Sequence, residues 1–284
     1  MRHFRLRQPV YALCVSALLL VLAAASGCGA PPASATATSV PVHGNAIPPN
    51  VIVRMASALV PSRAAHTQVT ASCQTGEQLI GGGFSASGAF EYDVKIVASY
   101  PASATTWTVA IASSPAFILR AEAYCLPASI TLGLVIGHAS MIPSGHASMT
   151  PSGSVSCPPG TVLLSGGFQG DEVFSASRPD GNGWYATTFG FAGTVYDLCA
   201  SQHVSAGGMV TAPFNPHSSA HNYYPAGASL ACPAGQSAIS GGFRSGGDLI
   251  LTSASGGSPF QQWSVTAGGD GDMTLYARCV ILTS

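Results

Sequence analysis

Cys157-Pro-Pro-Gly160-Thr-Val-Leu-Leu-Ser165-Gly166-Gly167-Phe168 is the stretch on which the fold turns, because it occurs three times. Its first copy is Cys73-Gln-Thr-Gly76-Glu-Gln-Leu-Ile-Gly81-Gly82-Gly83-Phe84, and its third is Cys232-Pro-Ala-Gly235-Gln-Ser-Ala-Ile-Ser240-Gly241-Gly242-Phe243. The pattern C-x-x-G-x-x-x-x-[GS]-G-G-F keeps one spacing throughout, and the copies start 84 and then 75 residues apart. Each copy runs on to a single tryptophan (Trp107, Trp184, Trp263) and then to a second cysteine (Cys125, Cys199, Cys279). Self-similarity at this period marks a protein built of repeated supersecondary units.

The six repeat cysteines allow fifteen connectivities, and the repeat symmetry selects one bridge per copy: Cys73–Cys125, Cys157–Cys199 and Cys232–Cys279. Each bridge closes a loop of about 40–50 residues, worth roughly 4 kcal/mol in the chain-entropy model. Units this small need such staples. No C-x-x-C occurs, so the spacing does not suggest a metal site.

Inside a unit the periodicity is that of strands. Trp107-Thr-Val109-Ala-Ile111 alternates, as does Met273-Thr-Leu275-Tyr-Ala277-Arg-Cys279, and Asp180-Gly-Asn-Gly183 reads as a hairpin turn. Val51-Ile-Val-Arg-Met and Ile130-Thr-Leu-Gly-Leu-Val-Ile136 are further strand candidates. No window of the mature part keeps a helical period. The Gly-Gly before each Phe is expected to form a bulge, or a gap where a Trp packs on bare backbone. Phe84, Trp107, Phe168, Trp184, Phe243 and Trp263 are accordingly expected in the core, with sugar stacking the functional rival for the Trp rings.

The segments between units (about 41–72, 126–156 and 200–231) are 31 or 32 residues each, so they belong to the repeat. The second holds a local duplication, Gly137-His-Ala-Ser-Met-Ile-Pro-Ser144 and Gly145-His-Ala-Ser-Met-Thr-Pro-Ser152, expected in an exposed loop. The expected fold class is all-β, with three disulfide-stapled β repeats. They either close in a pseudo-threefold, β-prism-like arrangement or stand as three small β-sandwiches in tandem.

Residues 1–27 have the form of an export signal. Arg2, Arg5 and Arg7 precede an apolar run from Val10 to Ala25, sixteen residues long, which is short of the ~20 a membrane span needs. The following Ala25-Ser26-Gly27-Cys28 resembles the lipobox of bacterial lipoproteins. That resemblance implies cleavage before Cys28, lipidation of its thiol, and anchoring to the outer face of a bacterial membrane. The alternative is plain secretion, with cleavage after Ala23-Ala24-Ala25. Cysteine parity favours the anchor. Cys14 leaves with the signal, and lipidating Cys28 leaves the six that can pair in an oxidising compartment. The organisation is then 1–27 signal peptide, 28–50 flexible tether rich in Ala, Ser, Thr and Pro, and β repeats at 51–126, 127–200 and 201–284.

Only 7% of the 284 residues are charged, against 47% hydrophobic. The chain past residue 27 has seven basic and eleven acidic residues, a net charge of −4. No nucleic-acid footprint and no polybasic membrane patch is present, and disorder does not fit so apolar a composition. The usual catalytic signatures G-x-S-x-G, H-E-x-x-H and G-x-x-x-x-G-K-[ST] are absent, and no cofactor is expected. His217 and His221 have ligand spacing and are the weak metal candidates; Pro216 beside them suggests a loop. Glu91 with Asp93, and Asp270 with Asp272, are acidic pairs that do not recur in all repeats.

The C-x-x-G and second-Cys repeat is similar to one seen in uncharacterised secreted bacterial proteins. In architecture, residues 51–284 also resemble, loosely, the three-repeat β-prism of the vitelline membrane outer layer protein family. The acidic Asp-Asp-Thr stretch of that family is missing, so no activity is carried over from it. The function expected is a non-catalytic cell-surface lipoprotein, structural or ligand-binding. Its expected partners are the membrane, through the anchor, and an envelope glycan or surface protein. A secreted hydrolase acting on a cell-envelope polymer is the alternative.

Overall fold

A computed structural model describes residues 50–61, 67–87, 95–112, 116–142, 150–190, 192–216, 226–246, 249–257, 260–269 and 271–283. Among these there are strands and no helix. Cys28, His217, His221, Glu91, Asp93 and Asp270 lie outside the described residues, as do the signal and most of the tether.

Each repeat supplies six strands. The first gives β1 (Ile52–Val60), β2 (Thr67–Ser72), β3 (Glu77–Ser87), β4 (Lys95–Ser103), β5 (Thr106–Ala112) and β6 (Phe117–Pro127). The second gives β7 (Leu134–Met141), β8 (Ser152–Ser156), β9 (Val162–Gly170), β10 (Phe174–Asp180), β11 (Gly183–Thr188) and β12 (Gly193–Ala200). The third gives β13 (Val204–Phe214), β14 (Ala226–Ala231), β15 (Ser237–Ser245), β16 (Leu249–Gly257), β17 (Gln262–Gly269) and β18 (Met273–Leu282). They form three six-stranded antiparallel sheets: β1-β6-β3-β16-β17-β14 (sheet I), β2-β5-β4-β9-β12-β7 (sheet II) and β13-β18-β15-β10-β11-β8 (sheet III).

Every sheet is therefore half one repeat and half another. Repeat 1 shares sheet I with repeat 3 and sheet II with repeat 2, while repeats 2 and 3 share sheet III. This cyclic exchange produces a pseudo-threefold arrangement and excludes three independent sandwiches. Each seam is only two register pairs long: Ser253↔Ser85 with Ala254↔Phe84, Ala98↔Gln169 with Ser99↔Phe168, and Ala176↔Arg244 with Ser177↔Phe243.

The repeated glycines explain how the walls come together. The first Gly of each Gly-Gly-Phe faces inward, onto the Trp of the same repeat. A Cβ on Gly82, Gly166 or Gly241 would lie 2.3, 2.4 or 2.5 Å from the ring of Trp107, Trp184 or Trp263. The second Gly meets the seam strand instead. A Cβ on Gly83, Gly167 or Gly242 would stand 2.4, 1.9 or 2.0 Å from the carbonyl oxygen of Ala254, Ser99 or Ser177. No side chain fits at either place. The three Trp are 2–3% exposed, and Phe84, Phe168 and Phe243 are buried beside them, so these six are core, with each Trp worth about 3–5 kcal/mol against truncation to Ala.

Three further devices recur. Ile80, Leu164 and Ile239 are each skipped by the β3–β6, β9–β12 and β15–β18 registers, which makes one bulge per repeat and buries a large aliphatic residue. The C-x-x-G glycines Gly76, Gly160 and Gly235 have φ of +85°, +82° and +80°, the left-handed turn geometry that glycine adopts without strain. The bridges are Cys73–Cys125, Cys157–Cys199 and Cys232–Cys279, one per repeat. The Asp180–Gly183 hairpin forms as expected, with Gly181 at φ +61°. Its Asn182 pins the tip to β9: Oδ1 accepts from Leu163 N at 2.9 Å, and Nδ2 donates to the Thr161 carbonyl at 2.8 Å.

Two expectations need correction. The strand expected from Ile130 begins only at Leu134. Leu132 is buried, and its carbonyl accepts Ser201 N and Gln202 N at 3.0 and 3.2 Å, so residues 130–133 are held as a connector. The first copy of the Gly-His-Ala-Ser-Met duplication is not a loop. Residues 137–141 are the body of β7, paired along their length with β12.

Candidate functional site

The outward-facing second glycine leaves a bare position at the centre of each seam. The residues flanking it form one row across the sheet, and the three rows differ chemically.

On sheet II the row carries Tyr100 and Tyr196 on either side of Gly167, with His138 next to Tyr196. With no side chain between them, the two rings stack at a centroid distance of 4.5 Å and 23° between planes. His138, exposed on β7, lies 6.1 Å from Tyr196. The Tyr196 hydroxyl donates to Gln169 Oε1 at 2.8 Å. Partial burial raises the pKa of both tyrosines, so they remain neutral donors. The row continues into Thr108 and Thr70, whose hydroxyls are 3.0 Å apart. It is a neutral aromatic and hydroxyl surface.

On sheet III the corresponding row is Tyr185, Arg178, Gly242, Tyr276 and Thr211. The Arg178 guanidinium carbon lies 4.9 Å from the Tyr185 ring centre and 5.3 Å from that of Tyr276. Its Nη1 meets Asp180 Oδ1 at 3.1 Å. Beyond this row Arg244 pairs in register with Thr274 and opens onto a dish of about 630 Å³. Pro213, Phe214, Asn215, Asp272 and Thr274 line the rest of it, and Asn215 Nδ2 donates to Asp272 Oδ1 at 3.0 Å.

On sheet I the row is Met55, Glu122, Gly83, Ser255, Ser264 and Ser229. Tyr124, fully buried, accepts Gly256 N at 2.6 Å and donates to Glu122 Oε2 at 3.2 Å. Burial is the main reason that the Glu122 carboxyl titrates above its ordinary range.

The sequence also concealed a buried acid. Asp197 is 0% exposed, where the other repeats have Ala123 and Ala277. Its Oδ1 accepts Gly137 N at 2.8 Å, and its Oδ2 has no partner among the described residues. Burial raises its pKa. Asp197 groups with Cys157 and Cys199, and Glu77 with Cys73 and Cys125. Both cysteine pairs are oxidised, so neither group offers the thiolates a metal would take. Glu77 is instead engaged by Arg54, whose guanidinium holds the carboxyl below its usual range.

None of Tyr100, Arg178, Arg244 and Asp197 stands out in the sequence, because no repeat partner shares its chemistry. A scan against protein-family models finds no match, and a search of curated proteins finds none either.

Proposed function

We propose that the chain is an exported, non-catalytic lipoprotein, anchored through Cys28, that binds a neutral envelope glycan on the outer face of sheet II. The observation carrying this reading is the Tyr100–Tyr196 pair raised over Gly167. Aromatic faces cover the apolar C–H faces of sugar rings, and the His138, Gln169 and Thr70 polar groups around them suit hydroxyls. The tyrosines lie on paired strands, so the platform is pre-organised and ordering it on binding costs little. The anchor is supported by cysteine use. Three bridges consume Cys73, Cys125, Cys157, Cys199, Cys232 and Cys279, leaving Cys28 as the one thiol of the chain past the signal.

The test is a glycan array together with pull-down on insoluble envelope polysaccharide. It uses the Cys28→Ser protein, which the lipid reading expects to be released from the membrane fraction. Tyr100→Ala and Tyr196→Ala should each weaken binding about tenfold, the loss of ~1.4 kcal/mol of ring contact. Absence of binding to every neutral polysaccharide, undiminished binding by the Tyr196→Ala protein, or turnover of the bound polymer would refute the reading.

A further inference from the structure

The outer face of sheet III presents two neighbouring arginines in a chain that is acidic overall. Arg178 on β10 and Arg244 on β15 come from adjacent strands, and they are two of the seven basic residues past position 27. Arg244 is exposed and makes no ion pair among the described residues. Arg178 stands between two tyrosine rings, and its buried Nε has no partner among the described residues. Arg278 of β18 does not belong to this surface: it is buried, and its Nε donates to the Leu163 carbonyl of β9 at 3.3 Å.

We infer that this face is a second binding site, for an acidic polysaccharide whose uronate carboxylates pair with Arg244 and Arg178 while its rings lie against Tyr185 and Tyr276. Arg178 and Arg244 are diagonal neighbours on paired strands, which places their backbones about 7–8 Å apart. A guanidinium fork matches a carboxylate bidentately, and Arg178 is already held flat by the rings. The dish beyond Arg244 supplies what the neutral part of a sugar needs. Phe214 gives an apolar wall, Asn215 and Thr274 give polar groups, and the Asp272 carboxylate can accept hydrogen bonds from hydroxyls. The two acidic groups of the face, Asp180 and Asp272, argue against a densely charged phosphate polymer. They would repel phosphates spaced along such a chain, yet they accept hydrogen bonds from the hydroxyls of a uronate polymer. The site is separate from the tyrosine row of sheet II and stands whether or not that row binds glycan.

Binding of polygalacturonate oligomers to the full mature chain tests this, with methyl-esterified polygalacturonate as the uncharged match and polyphosphate as the phosphate probe. The expected result is binding to the acid form, at least tenfold weaker for the ester, and falling as salt rises. Arg244→Gln, a change at an exposed position, should weaken it about tenfold. Arg120→Gln, on the exposed face of sheet I, should leave it unchanged. Arg178→Gln should also weaken binding, with circular dichroism reporting whether the strand row is intact. Equal binding of acid and ester, undiminished binding by Arg244→Gln, tighter binding of polyphosphate, or no binding at low ionic strength would each overturn the inference.

Discussion

Repeat symmetry picks out one buried donor that lacks its acceptor. Trp107 Nε1 donates to Ser99 Oγ at 3.1 Å, and Trp184 Nε1 donates to Ser177 Oγ at 2.9 Å. In the third repeat the position of that serine is taken by Ala254, and Trp263 Nε1 is buried without a partner among the described residues. Ala254 faces Phe84 in the register where Ser99 faces Phe168 and Ser177 faces Phe243. Ala254 and Trp263 both border an internal cavity of about 30 Å³, so the added hydroxyl has room. An unmade buried hydrogen bond costs roughly 1–3 kcal/mol, and a made one contributes about 1 kcal/mol net. Ala254→Ser should therefore stabilise the protein by about 1 kcal/mol, which for a fold of this size raises Tm by roughly 2–4 °C. The assay is denaturant and thermal unfolding with the bridges intact, repeated in a Trp263→Phe background that has no donor. In that background the gain should vanish or reverse. A gain of equal size there, or destabilisation by Ala254→Ser in the parent, would refute the reasoning.

Two more outcomes are expected. Gly166→Ala forces a methyl against Trp184 and should cost about 3 kcal/mol in chemical unfolding, whereas Gly208→Ala, with open space around it, should be nearly neutral. Asp197 binds its proton more tightly folded than unfolded, so the stability it contributes is complete below the ordinary Asp value of about 4 and is lost as pH rises through its raised pKa. Asp197→Asn, which keeps an acceptor for Gly137 N, should gain stability relative to the parent between acidic and neutral pH. A pH-independent difference between the two unfolding curves would contradict this.

The parts of the fold legible in the sequence are those every copy needs. Gly82, Gly166 and Gly241 recur because a Trp ring occupies the place of their side chains, and the cysteines recur because each repeat is stapled once. The exchange of half-sheets was not legible. Its seams are two residue pairs long, and no hydrophobic pattern distinguishes β16 pairing with β3 from β16 pairing with β15 of its own repeat. The candidate sites were hidden for the opposite reason. Tyr100, Arg178 and Ser255 occupy equivalent seam positions with unrelated chemistry, so repetition carries no signal there. Arg178 and Arg244 are far apart along the chain and meet only because β10 and β15 are neighbours.

The exchange of halves also fixes the copy number. In a linear array of repeats each unit touches only its neighbours, and units can be gained or lost at the ends over evolutionary time. Here every repeat lends half a wall to both of the others, so deleting one would strip three of the six strands from two sheets and leave open edges prone to pairing with other chains. A fourth copy would have no wall to complete. Lineages that carry this fold can diversify only by changing what each copy displays at its seam, and the tyrosine, arginine and serine now at those three positions are the kind of divergence that such a constraint leaves open.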